Sequence, residues 1–143
     1  MRKNLLDVMA VKAALPAAVY AADNTPAAID VSNFAAAIVC LSVGIGGITF
    51  TTSNKIEFKL THSDDNSTYA AVTVADVTGL SSVGTGGIIH SLVAEQAAGA
   101  VVNVGYVGGK KYLKLLADFS GTHGTGTPLA AVVVCGDPLI APV

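Results

Sequence analysis

The residues able to do chemistry are few, and they fall in scattered places along 143 residues. His62, Asp64 and Asp65 stand together in His62-Ser-Asp-Asp-Asn-Ser67. On a strand, residues two apart share a face, so His62 and Asp64 could both reach a cation. The Asp-x-Asp repeat and the distal Glu of a calcium loop are absent. A run of Ser, Asp and Asn also bonds its own backbone, so a polar turn needs no metal. Ser91, His123 and Asp118 supply the side chains of a nucleophile, a base and an orienting acid. No nucleophile elbow or comparable context presents the serine. Three glycine-rich stretches, 44–47, 84–87 and 121–126, lack the Lys-Ser/Thr of a phosphate loop. None stands between a strand and a helix whose N-terminus could hold a phosphate, so they read as turns. No enzyme is expected, and no catalytic residue, metal or cofactor is assigned.

Lys110, Lys111 and Lys114 make one basic cluster in the body of the chain. Lys110, Tyr112 and Lys114 alternate onto one strand face, an arrangement that could stack on nucleic acid. The formal net charge of −2 provides no global basic footprint for it. The face reads instead as solvated or interfacial, its aliphatic stems covering apolar surface. At an interface its counterpart is an acidic group on a partner. Cys40 and Cys135 each sit in an apolar run and read as free, buried thiols.

The composition points toward assembly. Charged residues are 13% and hydrophobic ones 52%, where an ordinary soluble domain carries about 25% charge. Such a surface meets neighbours or lipid. No charge occurs between Asp30 and Lys55, and residues 34–50 approach spanning length. Their glycines, Ser42, Thr49 and β-branched residues favour strand over span, so no membrane is expected. The first residues imitate a secretory signal, but Asp7, Lys12 and Pro16 interrupt its apolar region. No signal peptide is expected.

Strands must position all these groups. Val101 to Leu116 alternates on both sides of Gly108-Gly109 and predicts a hairpin turning there. In it Tyr106 packs inward, while Tyr112 and the lysines look outward. Ile29 and Val31 mark a short strand. Phe34 to Val43 reads as a strand buried on both faces. Asn54 to Thr61 alternates most cleanly, with Ile56, Phe58 and Leu60 inward and Lys55, Glu57 and Lys59 outward. Tyr69 to Val74 returns as its hairpin partner, Asp76 to Gly87 is a connection, and Ile88 to Ala94 and Pro128 to Gly136 are further strands. Residues 1–26 differ. Asn4 to Ala14 places Leu5, Val8, Met9 and Lys12 at helical spacing, and Ala-rich sequence follows between Pro16 and Pro26. That segment reads as a partly extended arm that docks on a partner. The expected fold is all-β: an antiparallel sandwich of about eight strands, jelly-roll-like, over residues 27–143, with an N-terminal arm over 1–26.

Two motifs add a resemblance. Phe58-Lys-Leu-Thr-His-Ser-Asp-Asp-Asn-Ser-Thr-Tyr69 is similar to a hydrophobic-x-x-Ser-Asp-Asp-Gly-Ser-x-aromatic hairpin. Val104-Gly-Tyr-Val-Gly-Gly-Lys-Lys-Tyr-Leu-Lys114 resembles a Gly-Tyr-x-Gly-Gly-Lys-Arg-Tyr hairpin. Both belong to small capsid cement and decoration proteins of tailed bacteriophages, some of them jelly rolls. The close of the chain from Ala131 to Val143 is similar too. Here Asn66 replaces a frequent Gly, and Lys111 a common Arg. The resemblance covers residues 27–143 and leaves the arm unmatched. It implies a virion structural protein that is made in the host cytoplasm and sits on the outer capsid surface. Its partners are the major capsid protein and itself, as a homodimer or, second, a homotrimer. Nucleic acid and membrane are not among them. The contact residues expected are Arg2, Lys3, Leu5, Leu6 and Met9 in the arm, with Lys110, Tyr112 and Lys114. The rival expectation is a carbohydrate- or receptor-binding sandwich of a virion fibre. That function favours exposed aromatics, whereas this chain has no Trp and four Tyr.

Overall fold

The computed structural model of the chain describes residues 4–46, 48–94, 98–140 and 143. Among them ten strands form two antiparallel sheets. In chain order they are β1 (Met9–Tyr20), β2 (Ile29–Asp30), β3 (Phe34–Val43), β4 (Lys55–Ser63) and β5 (Ala70–Ala71), then β6 (Val77–Thr78), β7 (Ile88–Leu92), β8 (Ala100–Tyr106), β9 (Tyr112–Ser120) and β10 (Thr127–Pro138). The first sheet runs β1-β10-β3-β8-β6. The second runs β2-β9-β4-β5, with β7 also paired to β4. The expected all-β sandwich is therefore present.

The core lies between the sheets. Ile56, Phe58 and Leu60 of β4 and Leu113, Leu115 and Ala117 of β9 are buried from one side. Val39, Leu41 and Val43 of β3 and Leu129, Ala131 and Val133 of β10 are buried from the other. Each set occupies every second position, as a strand with one face on a core requires.

The hairpin expected at Gly108-Gly109 does not form. β8 lies in the first sheet beside β3, and β9 lies in the second beside β4 and β2. The segment between them crosses from one sheet to the other. Its alternation is real, but Val104 and Tyr106 face the core from one layer, and Leu113 and Leu115 face it from the other. Gly109 takes the positive φ of 71° that the crossing turn needs. The chain changes sheets at nearly every step, and β4 with β5 is the one consecutive pair that hydrogen-bonds. That pairing is short, Thr61 with Ala71 and His62 with Ala70.

The N-terminal segment also departs from expectation. Leu5–Asp7 is a single 3₁₀ turn, and the strand begins at Met9. A short helix on its own is marginal in water, and Pro16 prevents its extension. Pairing with β10 supplies a backbone ladder and buries Ala14 and Leu15. Register shifts on either side of Leu15 carry Pro16 on this edge strand. Residues 9–20 thus belong to the sandwich, and the boundary expected at residue 26 separates no arm from it.

A third difference concerns β3. Ala37, Val39, Leu41 and Val43 are buried, but Ile38 is 44% exposed, and Ser42 is exposed as well. The run is apolar on both sides because its outer side forms an apolar surface, not because both sides are core. Cys135 is buried on the inner side, and burial pushes its thiol up; Cys40 is half-buried on the outer side. Both are free.

Candidate functional site

Strand register gathers the described ones among the expected contact residues at one end of the sandwich. Across the first sheet, Met9 pairs with Gly136, Gly136 with Ala36, and Ala37 with Tyr106. Across the second, Tyr112 pairs with both Asp30 and Ser63. This end therefore collects the Leu5–Asp7 turn, residues 30–34, the turn after Ser63, the 107–111 crossing and the close of β10. Leu5 is 61% exposed and Leu6 81%. Met9 is half-buried, as are Tyr112 and Lys114, and Lys110 is exposed. Arg2 and Lys3 lie outside the described residues. Lys12, at the start of β1, points across to the second sheet: its ammonium donates to the Asp30 carbonyl and stands 5.4 Å from the Phe34 ring centroid.

The polar groups here satisfy one another. One Asp65 carboxylate oxygen accepts the backbone N–H of Ser67 at 2.9 Å and of Thr68 at 2.8 Å. The Ser63 hydroxyl donates to it at 2.8 Å. Those bonds, the backbone ones foremost, hold the Asp65 carboxyl down to about 2. Asn66 turns the chain at a φ of 56°, a conformation Asn tolerates. Asp64 pairs with the Lys110 ammonium at 2.5 Å, so it tethers the crossing segment to this turn. Lys114 places its ammonium 4.2 Å from the Tyr69 ring centroid. Among the described residues, no cluster of three or more His, Cys, Asp or Glu is grouped as a metal site.

Tyr106 anchors the crossing segment, and it packs inward as expected. Its hydroxyl accepts the Lys110 backbone N–H at 3.0 Å and lies 2.9 Å from His62 Nδ1. Burial pushes this phenol above its ordinary range, so it remains a donor. Gly108 passes so close that an added Cβ would lie 2.8 Å from the Tyr106 ring and hydroxyl. A Tyr106→Phe substitution keeps the ring but leaves His62 Nδ1 and the Lys110 N–H without their partner. The expected loss is about 1–3 kcal/mol of unfolding free energy, measured by urea titration; an unchanged midpoint would show that the hydroxyl holds nothing.

Beside this network is a cleft of about 310 Å³, lined by Phe34, Ala36, Tyr106, Val107 and Leu139 together with Lys110 and Lys111. Its lining is mostly apolar, and of its two lysines Lys110 is paired with Asp64.

The catalytic set conceivable on paper does not assemble. Asp118 is ion-paired with Lys59 on the outer side of the second sheet. His123 is buried, its Nε2 bonded to the Ser120 carbonyl at 2.8 Å and its ring edge-on to Phe119. Ser91 pairs in register with Glu57 of β4, which stands between it and Asp118 of β9.

Sequence reasoning missed a second surface. Four strands of the first sheet, β1, β10, β3 and β8, contain only two charged residues, Lys12 and Asp137. Lys12 points to the other sheet, and Asp137 stands at the end of β10. The outer face between them is uncharged, built from Val11, Ile38, Val101, Val132 and Val134 among others. By contrast, the outer face of the second sheet carries the Lys55–Glu57 and Lys59–Asp118 pairs. An unbroken apolar run was the available signal, but it reads equally as a strand with two core faces.

No protein-family model, curated protein or solved structure matches this chain.

Proposed function

We propose that the chain is a virion structural protein, a cement or decoration subunit. It binds the outside of a tailed-phage head and stabilises the shell by bridging major capsid protein subunits. The observation that carries this reading is the convergence at one end of the sandwich. There the exposed Leu5 and Leu6, the half-buried Met9, and Lys110, Tyr112 and Lys114 lie at the same end. A surface mixing exposed aliphatics with lysines suits a docking role, with apolar contact giving adhesion and the cations selecting an acidic partner. The alternation of successive strands between two sheets supports a jelly-roll reading of the sandwich.

The mechanism is mechanical. Each docked subunit adds apolar and hydrogen-bonded contacts across a boundary between capsomers, and these must break before the boundary opens. The protein is made in the host cytoplasm and resides on the capsid surface. Purified chain mixed with empty expanded heads is expected to co-sediment with them, and a Leu5→Asp, Leu6→Asp double variant is expected to remain in the supernatant. Absence of wild-type binding to shells, or deletion of the gene without loss of shell stability, sinks the proposal.

A further inference from the structure

We infer that the uncharged outer face of the first sheet is a two-fold interface on which a second copy of this chain packs, sheet against sheet. The face spans β1, β10, β3 and β8, strands of 12, 12, 10 and 7 residues. At about 3.3 Å per residue and 4.8 Å between strands, its flat projection is roughly 650 Å². A stable dimer buries about 800 Å² on each partner, and side chains standing off a pleated surface add to its projection. A monomer's largest apolar patch is usually about 300–600 Å². At this size the face stands at the upper end of that range and close to the area a dimer needs.

Its chemistry selects the occupant. Val11 is 66% exposed, Val101 67% and Ile38 44%, and a shallow apolar hollow of about 170 Å³ lies beside Cys40, Val101 and Val132. Ser42 and Asn103 supply polar groups on the outer side. A charged partner face would lose its hydration here with no counter-charge to receive it. A second copy brings an equally uncharged face, and a two-fold axis makes it self-complementary. Two twisted sheets packed with their strands within about 30° of each other interdigitate just such branched side chains. Association through the edge of β1 is disfavoured, because Pro16 and the two register shifts break its ladder. The outer face of the second sheet, with its ion pairs, stays in water.

This inference does not depend on the phage reading, and it is tested without shells. Sedimentation velocity on the full chain is expected to show two chains per particle. Ile38→Lys places an unpaired charge at the centre of the face, where association should weaken by roughly a hundredfold or more. Thr61→Lys, on the outer side of the second sheet, should leave the dimer intact. The wild-type protein supplies a readout that needs no variant. Cys40 lies in the interface, so its thiol should react with a maleimide several-fold more slowly in concentrated than in dilute protein, with buried Cys135 silent throughout. A monomeric wild type, a trimer, an Ile38→Lys chain that is folded and still dimeric, or Cys40 labelling independent of concentration overturns the assignment. So does a monomer that uses this face to bind shells or lipid vesicles.

Discussion

A Phe58→Ala chain is expected to lose about 3–5 kcal/mol of stability, the usual cost of deleting a fully buried aromatic side chain. Phe58 is entirely buried at the middle of β4. That strand is laddered on both sides, with Ala117 of β9 opposite Phe58 on one flank and His90 of β7 on the other. Its backbone is therefore held and cannot collapse into the space left behind. The ring also stacks on His90, with centroids 6.0 Å apart and planes at 28°. Burial pushes His90 below its ordinary range, and its Nε2 is buried without a partner. Removing the phenyl ring opens a cavity beside an already unsatisfied nitrogen. Because domains of this size hold only about 5–15 kcal/mol, the variant should unfold at much lower urea, or not fold at all. Far-UV circular dichroism follows the transition, since the chain has no Trp. Phe58→Leu should cost distinctly less, and a Phe58→Ala midpoint near wild type would refute the account.

Gly87→Ala is expected to cost about 2–4 kcal/mol, from a positive φ combined with overpacking against backbone. Gly87 has a φ of 84°, and an added Cβ would lie 2.3 Å from the Leu60 carbonyl oxygen and 3.2 Å from the Val72 nitrogen. Neither atom can move freely. The Leu60 carbonyl accepts the Val72 N–H, and the Leu60 N–H donates to the Gly87 carbonyl at 2.9 Å. The methyl group would therefore separate the 84–87 loop from β4 and loosen β7, whose register with β4 already shifts beside Phe58. Gly109→Ala is the matched control. Its φ is 71°, but nothing lies within 4 Å of the added Cβ, so only the dihedral penalty applies, about 1 kcal/mol. Equal urea midpoints for the two variants would show that close approach at Gly87 has no weight.

Much of the strand inventory was legible from residue order. β3 spans Phe34–Val43 as its apolar run indicates, and β4 buries Ile56, Phe58 and Leu60 as its alternation indicates. Tyr106 turns inward, while Tyr112 and Lys114 remain only half-buried. Less was legible at the candidate site. Lys110 and Asp64 are 46 residues apart and meet only because a sheet-crossing segment lies against a turn. His62 and Tyr106 meet for the same reason. The helical spacing near the N-terminus misled, because period alone carries little weight against a strand ladder that β10 offers to Met9–Tyr20.

By itself, then, the order of residues determined the β class, most strands, and the side that the alternating strands β4, β8 and β9 turn to the core. These follow from a period of two and from turn residues, which are local properties. The tertiary structure decided which strands pair, that Gly108-Gly109 crosses between layers instead of closing a hairpin, and that β1 completes the first sheet. It also decided that the described residues of the expected contact set share one end and that one outer face stays free of charge. Pairing is decided by burying two inner faces together while closing long loops, and no local pattern encodes that. An alternating or wholly apolar run states that a surface must be covered; only the fold shows whether the cover is the core of the same chain or lies beyond it.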